Sequence, residues 1–317
     1  MPSIINLDEI KSLMGSLDVV AAIEEGFIQY SNGNSVVPPV GELIFEKPPG
    51  DVHIKYGYIK DDDYYVIKIA SGFYDNPKIG LPSGQGLMLL FNQKTGALVS
   101  ILLDEGYLTN IRTAAAGALA ARYFAPKKLE GIGVLGTGIQ AELQLKYLLK
   151  DHTCENIWIW GRDRNKAEKL KSVFGENLNI HIAIDPAEVA LHCNIIITTT
   201  PSTIPLLSAH DIRPGTHITA VGSDTSDKQE LDGNILAKAD IVISDSIPQS
   251  KSRGEIYQAV KANLISEEKI LELGYVIQNP GYQRNNDDQI TVADLTGVAV
   301  QDIMIAKAVY NNYNKKR

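Results

Sequence analysis

The sequence predicts an α/β protein in which a doubly wound parallel sheet follows a separate α+β domain. Three observations carry that expectation. Six short apolar runs recur over residues 132–135, 157–160, 181–184, 195–199, 217–221 and 241–244, with helical or turn patterns between most of them. That is the cadence of a parallel sheet wound on both faces. The first run opens into Gly136-Thr137-Gly138-Ile139-Gln140-Ala141 and then into residues 142–149 at helical spacing. Strand-like runs also cluster before residue 103, ahead of any β-α-β alternation.

In chain order, residues 7–30 set Ile10, Leu13, Met14, Leu17, Val20, Ala21, Ile23 and Phe27 at helical spacing. They predict one or two amphipathic helices, with Ser16 or Asp18 as a cap between them. Strands follow over 52–59, 64–70, 86–91 and 98–103, the last two joined by the turn Gln93-Lys94-Thr95-Gly96. Residues 109–124 form an alanine-rich helix that stops before Pro126, since alanine suits both helix propensity and close packing. Helices are expected over 166–173 and 229–239, and a last one over 296–310.

Residues 129–149 organise the chain. The strand, glycine turn and helix form the dinucleotide fingerprint G-x-G-x-x-G/A of a Rossmann-type domain. Gly136 permits the tight turn, Gly138 lets the backbone approach a pyrophosphate, and Ala141 keeps helix and sheet close. The helix start, through Ile139 and Gln140, offers free N–H groups and the positive dipole end. Such a motif alone is weak; here the strand before it and the helix after it are both present. At the end of the second strand, where the adenosine ribose is read, stand Gly161, Arg162, Asp163 and Arg164. Two arginines about that turn favour NADP(H) over NAD(H), with Asp163 as the counterweight.

Bulk properties narrow the function classes. A 317-residue chain can hold two cores. The net charge of −8, with no basic stripe, argues against a nucleic-acid partner. Two distant cysteines, no leader pattern and no membrane-length apolar run point to a soluble cytoplasmic protein without disulfides. The histidines show no paired metal spacing and no GxSxG nucleophile motif is present, so no metal site is expected.

The motif set Leu103-Asp104-Glu105 with Leu108-Thr109, Arg112-Thr113-Ala114-Ala115, Ala125-Pro126-Lys127, Gly136-Thr137-Gly138, Val221-Gly222-Ser223-Asp224, Gly254-Glu255-Ile256 and Leu295-Thr296-Gly297 with Val300-Gln301-Asp302 resembles the ornithine cyclodeaminase/mu-crystallin family over essentially the whole chain. The resemblance implies a homodimer, with a substrate-binding and dimerisation domain over 1–112 and a dinucleotide-binding domain over 113–295. The C-terminal helix, 296–317, is expected to return to the first. It also implies nicotinamide chemistry between a small amino acid and its imino or keto acid. Within those motifs Thr113, Val221 and Gly222 are expected to reach the cofactor.

Carried over by position, Lys68 resembles the family lysine beside the substrate carboxylate and imine. It lies within an apolar strand, where an unpaired cation is costly, so it functions or forms an ion pair. Arg112 resembles the arginine that holds the substrate carboxylate through a planar fork. A cation near a helix start is otherwise electrostatically poor, which favours a bound anion. Asp224, after a sheet strand, resembles the family's catalytic aspartate, with proton transfer at the substrate nitrogen or stabilisation of the iminium as its task; otherwise residues 223–227 form an ordinary polar capping loop. One departure stands out. Pro38-Pro39-Val40-Gly41 lacks the arginine usual after the proline, while Lys55, together with His53, is expected to add positive charge on a neighbouring strand. That exchange suits an imino-acid or ketimine reductase, including one for a dicarboxylic imine, and argues against ornithine cyclisation. A cyclodeaminase, and a non-catalytic NADP(H)-dependent binder like mu-crystallin, stay open as alternatives.

Overall fold

A computed structural model describes residues 1–73, 75–175 and 178–316. The chain divides into two compact units, Met1–Arg112 with Val298–Arg317, and Thr113–Gly297.

In the first unit β1 (Ser3–Ile5) leads into α1 (Leu7–Met14) and α2 (Val19–Ser31). Asn6 caps α1 in a reciprocal capping box with Glu9, and Asp18 caps α2, so the expected break near Ser16 and Asp18 is a true helix boundary. Strands β2 (Ser35–Val36), β3 (Gly41–Phe45), β4 (Gly50–Ile59), β5 (Tyr64–Phe73), β6 (Gly84–Asn92) and β7 (Leu98–Leu102) follow. Among the described residues they form, with β1, a seven-stranded sheet in the order β1-β7-β6-β5-β4-β2, with β3 also paired to β4. The pairs are antiparallel apart from β1 on β7. The short strands β1, β2 and β3 were not expected; with five or fewer residues they leave little periodicity to read. Gly57, Ile59, Val66, Met88, Leu90 and Leu102 bury one face of the sheet.

Helix α3 (Tyr107–Phe124) begins two residues earlier than its alanine run suggests, because the Asp104 carboxylate accepts the Leu108 N–H at 2.8 Å. Then come β8 (Ile132–Leu135), α4 (Ile139–Asp151), β9 (Asn156–Trp160), α5 (Arg164–Ser172), β10 (Asn179–Ile182), α6 (Pro186–His192), β11 (Ile195–Thr198) and β12 (His217–Ala220). The second unit continues with α7 (Gly233–Lys238), β13 (Ile241–Ser244), α8 (Gly254–Lys261), β14 (Ile270–Glu272), α9 (Leu273–Gln278) and β15 (Thr291–Asp294). The eight described strands are all parallel, in the order β10-β9-β8-β11-β12-β15-β13-β14. Alternate strand residues serve the two faces. Ile132, Val134, Ile157, Ile159, Ile195 and Ile197 pack with Ala141, Leu145 and Leu148 of α4 and with Ala167 and Leu170 of α5. Leu135, Ile196, Ile218, Val242 and Val292 pack with α6, α7 and α8. This is the expected doubly wound α/β fold, and the strand order reverses at β8, whose neighbours are β9 and β11.

The chain ends in α10 (Ala299–Lys315), which packs with α2, β4 and β5 in the first unit. It starts later than the expected residue 296, because the Asp245 carboxylate holds the Thr296 hydroxyl and the Gly297 N–H outside the helix. The expected terminal segment also includes Arg317, which lies outside the described residues. The helix expected over 229–239 is shorter as well: Asp232 caps α7, and Leu231 makes a strand-like bridge to Leu207.

Candidate active site

Each unit carries one part of the residue set singled out in the sequence. In the second unit the set gathers on the carboxyl edge of the parallel sheet, where ligands of such folds bind. Gly136 leaves β8 with φ +129°, and a Cβ there would lie 2.2 Å from Thr199 Oγ1. Only glycine satisfies both the torsion and the contact. Gly138 is the extended N-cap of α4 and supplies no side-chain cap, while the space a Cβ would take is open to 4 Å. The first N–H groups of the 13-residue helix therefore border open space, and Thr137, Ile139 and Gln140 flank it. An open cradle before an uncapped helix start fits a dinucleotide pyrophosphate. Thr113 lies deeper, its carbonyl accepting from the buried Gln144 amide at 3.1 Å.

Gly161 follows β9 half-buried, with Arg162, Asp163 and Arg164 exposed after it. The Asp163 carboxylate is turned to α5, accepting the Asn165 N–H at 2.9 Å. Arg164 pairs loosely with Glu168 at 3.8 Å.

Val221 and Gly222 follow β12, and Asp224 stands two residues on. Its carboxylate is half-exposed and bonded to Lys228 Nζ at 2.6 Å. Arg253 donates to the Asp224 carbonyl at 3.3 Å. Behind this turn lie acids to which sequence reasoning gave no role. Glu230 is fully buried and accepts from the Thr198 hydroxyl (2.7 Å), the Thr200 N–H and hydroxyl (2.5 and 2.8 Å) and the Gly222 N–H (2.9 Å). Glu255, at the start of α8, accepts the N–H groups of Glu230 and Leu231 at 2.7 and 3.1 Å. Asp294, ending β15, accepts the Ile256 N–H at 2.8 Å. Burial pushes Glu230 up to about 7 and Asp294 up to about 8, and it pushes Glu255 well above the usual carboxylate range.

In the first unit the predicted cations meet an anion. Lys68 on β5 and Lys55 on β4 are directly opposed in the antiparallel register, both on the buried face. Arg112 extends from α3. Asp302, in the first turn of α10 and 1% exposed, lies 3.5 Å from Lys68 Nζ and 3.2 Å from Arg112 Nε. Both are ion-pair distances without hydrogen-bond alignment. Arg112 Nη1 donates to Gln301 Oε1 at 2.8 Å, and that oxygen also accepts the Val298 N–H at 3.0 Å. Burial pulls the Lys68 pKa below the usual lysine range; Asp302 counteracts and Arg112 adds to the fall. Desolvation likewise raises the Asp104 carboxyl. His53 is set apart from this cluster, 3.5 Å from both Glu42 and Asp51. Asp302 was visible in the sequence only as part of Val300-Gln301-Asp302, since an acid in a helix reads as a solvated charge. Among the described residues no group of histidine, cysteine and acidic side chains is arranged to hold a metal, and no helix is long and apolar enough to cross a membrane.

Comparison with known proteins adds to this geometry. The sequence model of the ornithine cyclodeaminase/mu-crystallin family matches residues 2–317. Alanine dehydrogenase of Archaeoglobus fulgidus is 37% identical over 310 residues, covering 98% of this chain and 94% of the relative. Iminosuccinate reductase of Paracoccus denitrificans is 32% identical over 305 residues, covering 95% and 93%. Among solved structures, Δ1-pyrroline-2-carboxylate reductase of Thermococcus litoralis, in complex with NADH and L-proline, has a TM-score of 0.91 at 27% identity, covering 99% of this chain and 98% of that one.

Proposed function

The chain belongs to the ornithine cyclodeaminase/mu-crystallin family, and on that footing we propose that it is an NAD(P)-dependent oxidoreductase interconverting a small α-amino acid and its α-imino acid or ketimine. The observation that carries this reading is the buried Lys68–Arg112–Asp302 group. Two cations drawn out of water beside one carboxylate form a site for a further anion, and the fork of Arg112 matches a substrate carboxylate. Gly136 and Gly138, with the start of α4, would hold the pyrophosphate of a nicotinamide dinucleotide, which would supply the hydride-transfer chemistry. The protein's own work is orientation and proton handling. Arg112 and Lys68 hold the carboxylate, so that one face of the imine carbon is presented for reaction. Asp224 gives the substrate nitrogen its proton in reduction and takes it in oxidation. Lys55, one strand from Lys68, adds positive charge that suits a second substrate carboxylate; the iminosuccinate reductase relative acts, by its name, on such an imine. His53 lies on the same strand as Lys55 but is held by Glu42 and Asp51, so Lys55 is the residue given the binding role.

For the cofactor our reading is NADP(H) in preference to NAD(H). The Asp163 carboxylate is engaged as the α5 cap, and Arg162 stands exposed at the end of β9. The Thermococcus relative holds NADH, so the preference is a distinct claim about this chain. A homodimer is the assembly proposed, with the exposed Leu43, Ile44 and Phe45 of β3 as apolar surface for it; sedimentation at micromolar concentration tests that.

Absorbance of the reduced nicotinamide provides the test of function. Each of NADPH and NADH is offered with α-keto acids plus ammonia or methylamine, with cyclic imino acids, and with L-ornithine. Stoichiometric oxidation of NADPH with one keto or imino acid is the expected result. Ammonia release from ornithine without net oxidation, or binding of NADPH with no turnover of any substrate, would sink the reading.

A further inference from the structure

The chain leaving β11 and the chain leaving β12 are adjacent in the parallel sheet, Thr198 being in register with Ala220. Beyond those residues the ladder ends, and a single side chain takes over. One Glu230 oxygen accepts from Thr198 Oγ1 and Gly222 N, the other from Thr200 N and Thr200 Oγ1. A Cβ on residue 222 would lie 2.2 Å from the Thr200 carbonyl oxygen and 2.6 Å from Glu230 Oε2, so the turn is closed onto this carboxylate. The main chain of Glu230 is itself held by the Glu255 carboxylate. Ser223, next along, donates to the Lys228 carbonyl at 2.8 Å, and Lys228 bonds Asp224. Four donors converge on one buried carboxylate, and each belongs to the edge of the sheet that meets the dinucleotide.

We infer that Glu230 is a positioning residue, whose carboxylate clamps the end of β11 to the end of β12 and so fixes the 222–224 turn that carries Asp224. The inference rests on the reading of Asp224 and of the dinucleotide crevice given above. Only the ionised carboxylate can accept all four hydrogen bonds, since protonation or amidation converts one acceptor into a donor. The charged groups facing it are Glu255 from α8 and Asp294 from β15, with the Asp224–Lys228 pair on its own loop. Burial pushes its carboxyl up to about 7 against the lowering effect of its hydrogen bonds from Thr198, Thr200 and Gly222. The clamp is therefore closed above that pH and loosens as pH falls through it.

The experiment compares the full-length protein with Glu230→Gln and Thr200→Val, each loaded with reduced dinucleotide. The readouts are nicotinamide emission on binding, the separation of kcat from KM, and the wild-type to variant ratio of kcat between pH 6 and pH 8. In Glu230→Gln we expect dinucleotide affinity within about threefold of wild type, a changed emission on binding, and kcat at pH 8 down by about tenfold or more at little-changed KM. The kcat ratio should rise by about tenfold from pH 6 to pH 8, as a group titrating near 7 requires. A merely structural role would lower every parameter together and leave that ratio flat, which overturns the inference, as does a variant with wild-type emission and kcat. Should Glu230→Gln fail to fold, Thr200→Val removes one donor at constant shape. Its kcat–pH midpoint is expected to move upward, and an unmoved midpoint with unmoved emission overturns the clamp. If the wild-type protein turns over no imino or amino acid, the functional reading fails instead, and the emission of the two variants still decides the inference.

Discussion

Lys68 Nζ and Asp302 Oδ2 lie 3.5 Å apart, on a strand and on a helix separated by more than two hundred residues of sequence, and both side chains are at least nine-tenths buried. Asp302 is the carboxylate that both Lys68 and the nearby Arg112 face, at 3.5 and 3.2 Å. Taking one member from a buried pair costs more than the pair is worth, because the remaining charge is left without compensation.

Asp302→Asn is accordingly expected to destabilise the protein by about 3–5 kcal/mol in urea unfolding, and to drive the Lys68 pKa further down. A loss below about 1 kcal/mol would show that Arg112 and Lys68 are solvated in a way the geometry denies.

The two glycines of the dinucleotide turn should behave in opposite ways. Gly136→Ala puts a Cβ against Thr199 at φ +129°, so it should cost about 2 kcal/mol or more of stability along with dinucleotide binding. Gly138→Ala adds a methyl to open space and should change stability by less than about 0.5 kcal/mol. It should still weaken NADPH binding about tenfold, because the methyl stands where the pyrophosphate approaches. Equal melting temperatures for the two variants would contradict this contrast.

Lys55→Ala should raise the KM for the imino acid about tenfold, the equivalent of about 1.4 kcal/mol, with dinucleotide affinity unaltered. An unchanged KM would remove Lys55 from substrate binding and leave it a strand residue opposite Lys68.

Stability should depend on pH through Asp294. Its native pKa, about 8, is above the 3.8 of an ordinary aspartate. The native state therefore keeps a proton that the unfolded chain gives up, and this contribution is full below pH 4 and lost as pH rises towards 8. Asp294→Asn carries no such proton. Relative to wild type, the variant should gain about 2 kcal/mol between pH 6 and pH 8 in denaturant titrations. A pH-independent difference would show that Asp294 ionises normally in the folded protein.

The fold class was legible because the parallel sheet announces itself locally. Runs such as 132–135 and 195–197 are wholly apolar, and β8 is followed at once by its glycine turn. The strands of the parallel sheet that escaped notice, β14 and β15, have three and four residues, and β15 is half polar as Thr291-Val292-Ala293-Asp294. Helix starts were misplaced where a distant carboxylate sets them: Asp245 holds Gly297 out of α10 from 52 residues away, a link no local pattern encodes. The same limit applies to the candidate site. Gly136 and Gly138 declare themselves by spacing. Glu230 and Asp302 look, in sequence, like ordinary surface acids, and only the burial of their partners shows otherwise. Asp163 is a further case, since its use as a helix cap alters what its charge can offer a ribose.

Helix α10 has a consequence for biosynthesis. The first unit is interrupted after Arg112 and resumes only at Val298. A ribosome therefore delivers Lys68 and Arg112 early, then translates the whole of the second unit before the counter-ion Asp302 emerges. At ~5–20 residues per second, that interval is on the order of 10–40 s. Through it the nascent sheet has neither its covering helix nor the anion that makes its buried cations tolerable, so the first unit cannot settle into its final packing until α10 arrives. The second unit, continuous in sequence, is free to fold first.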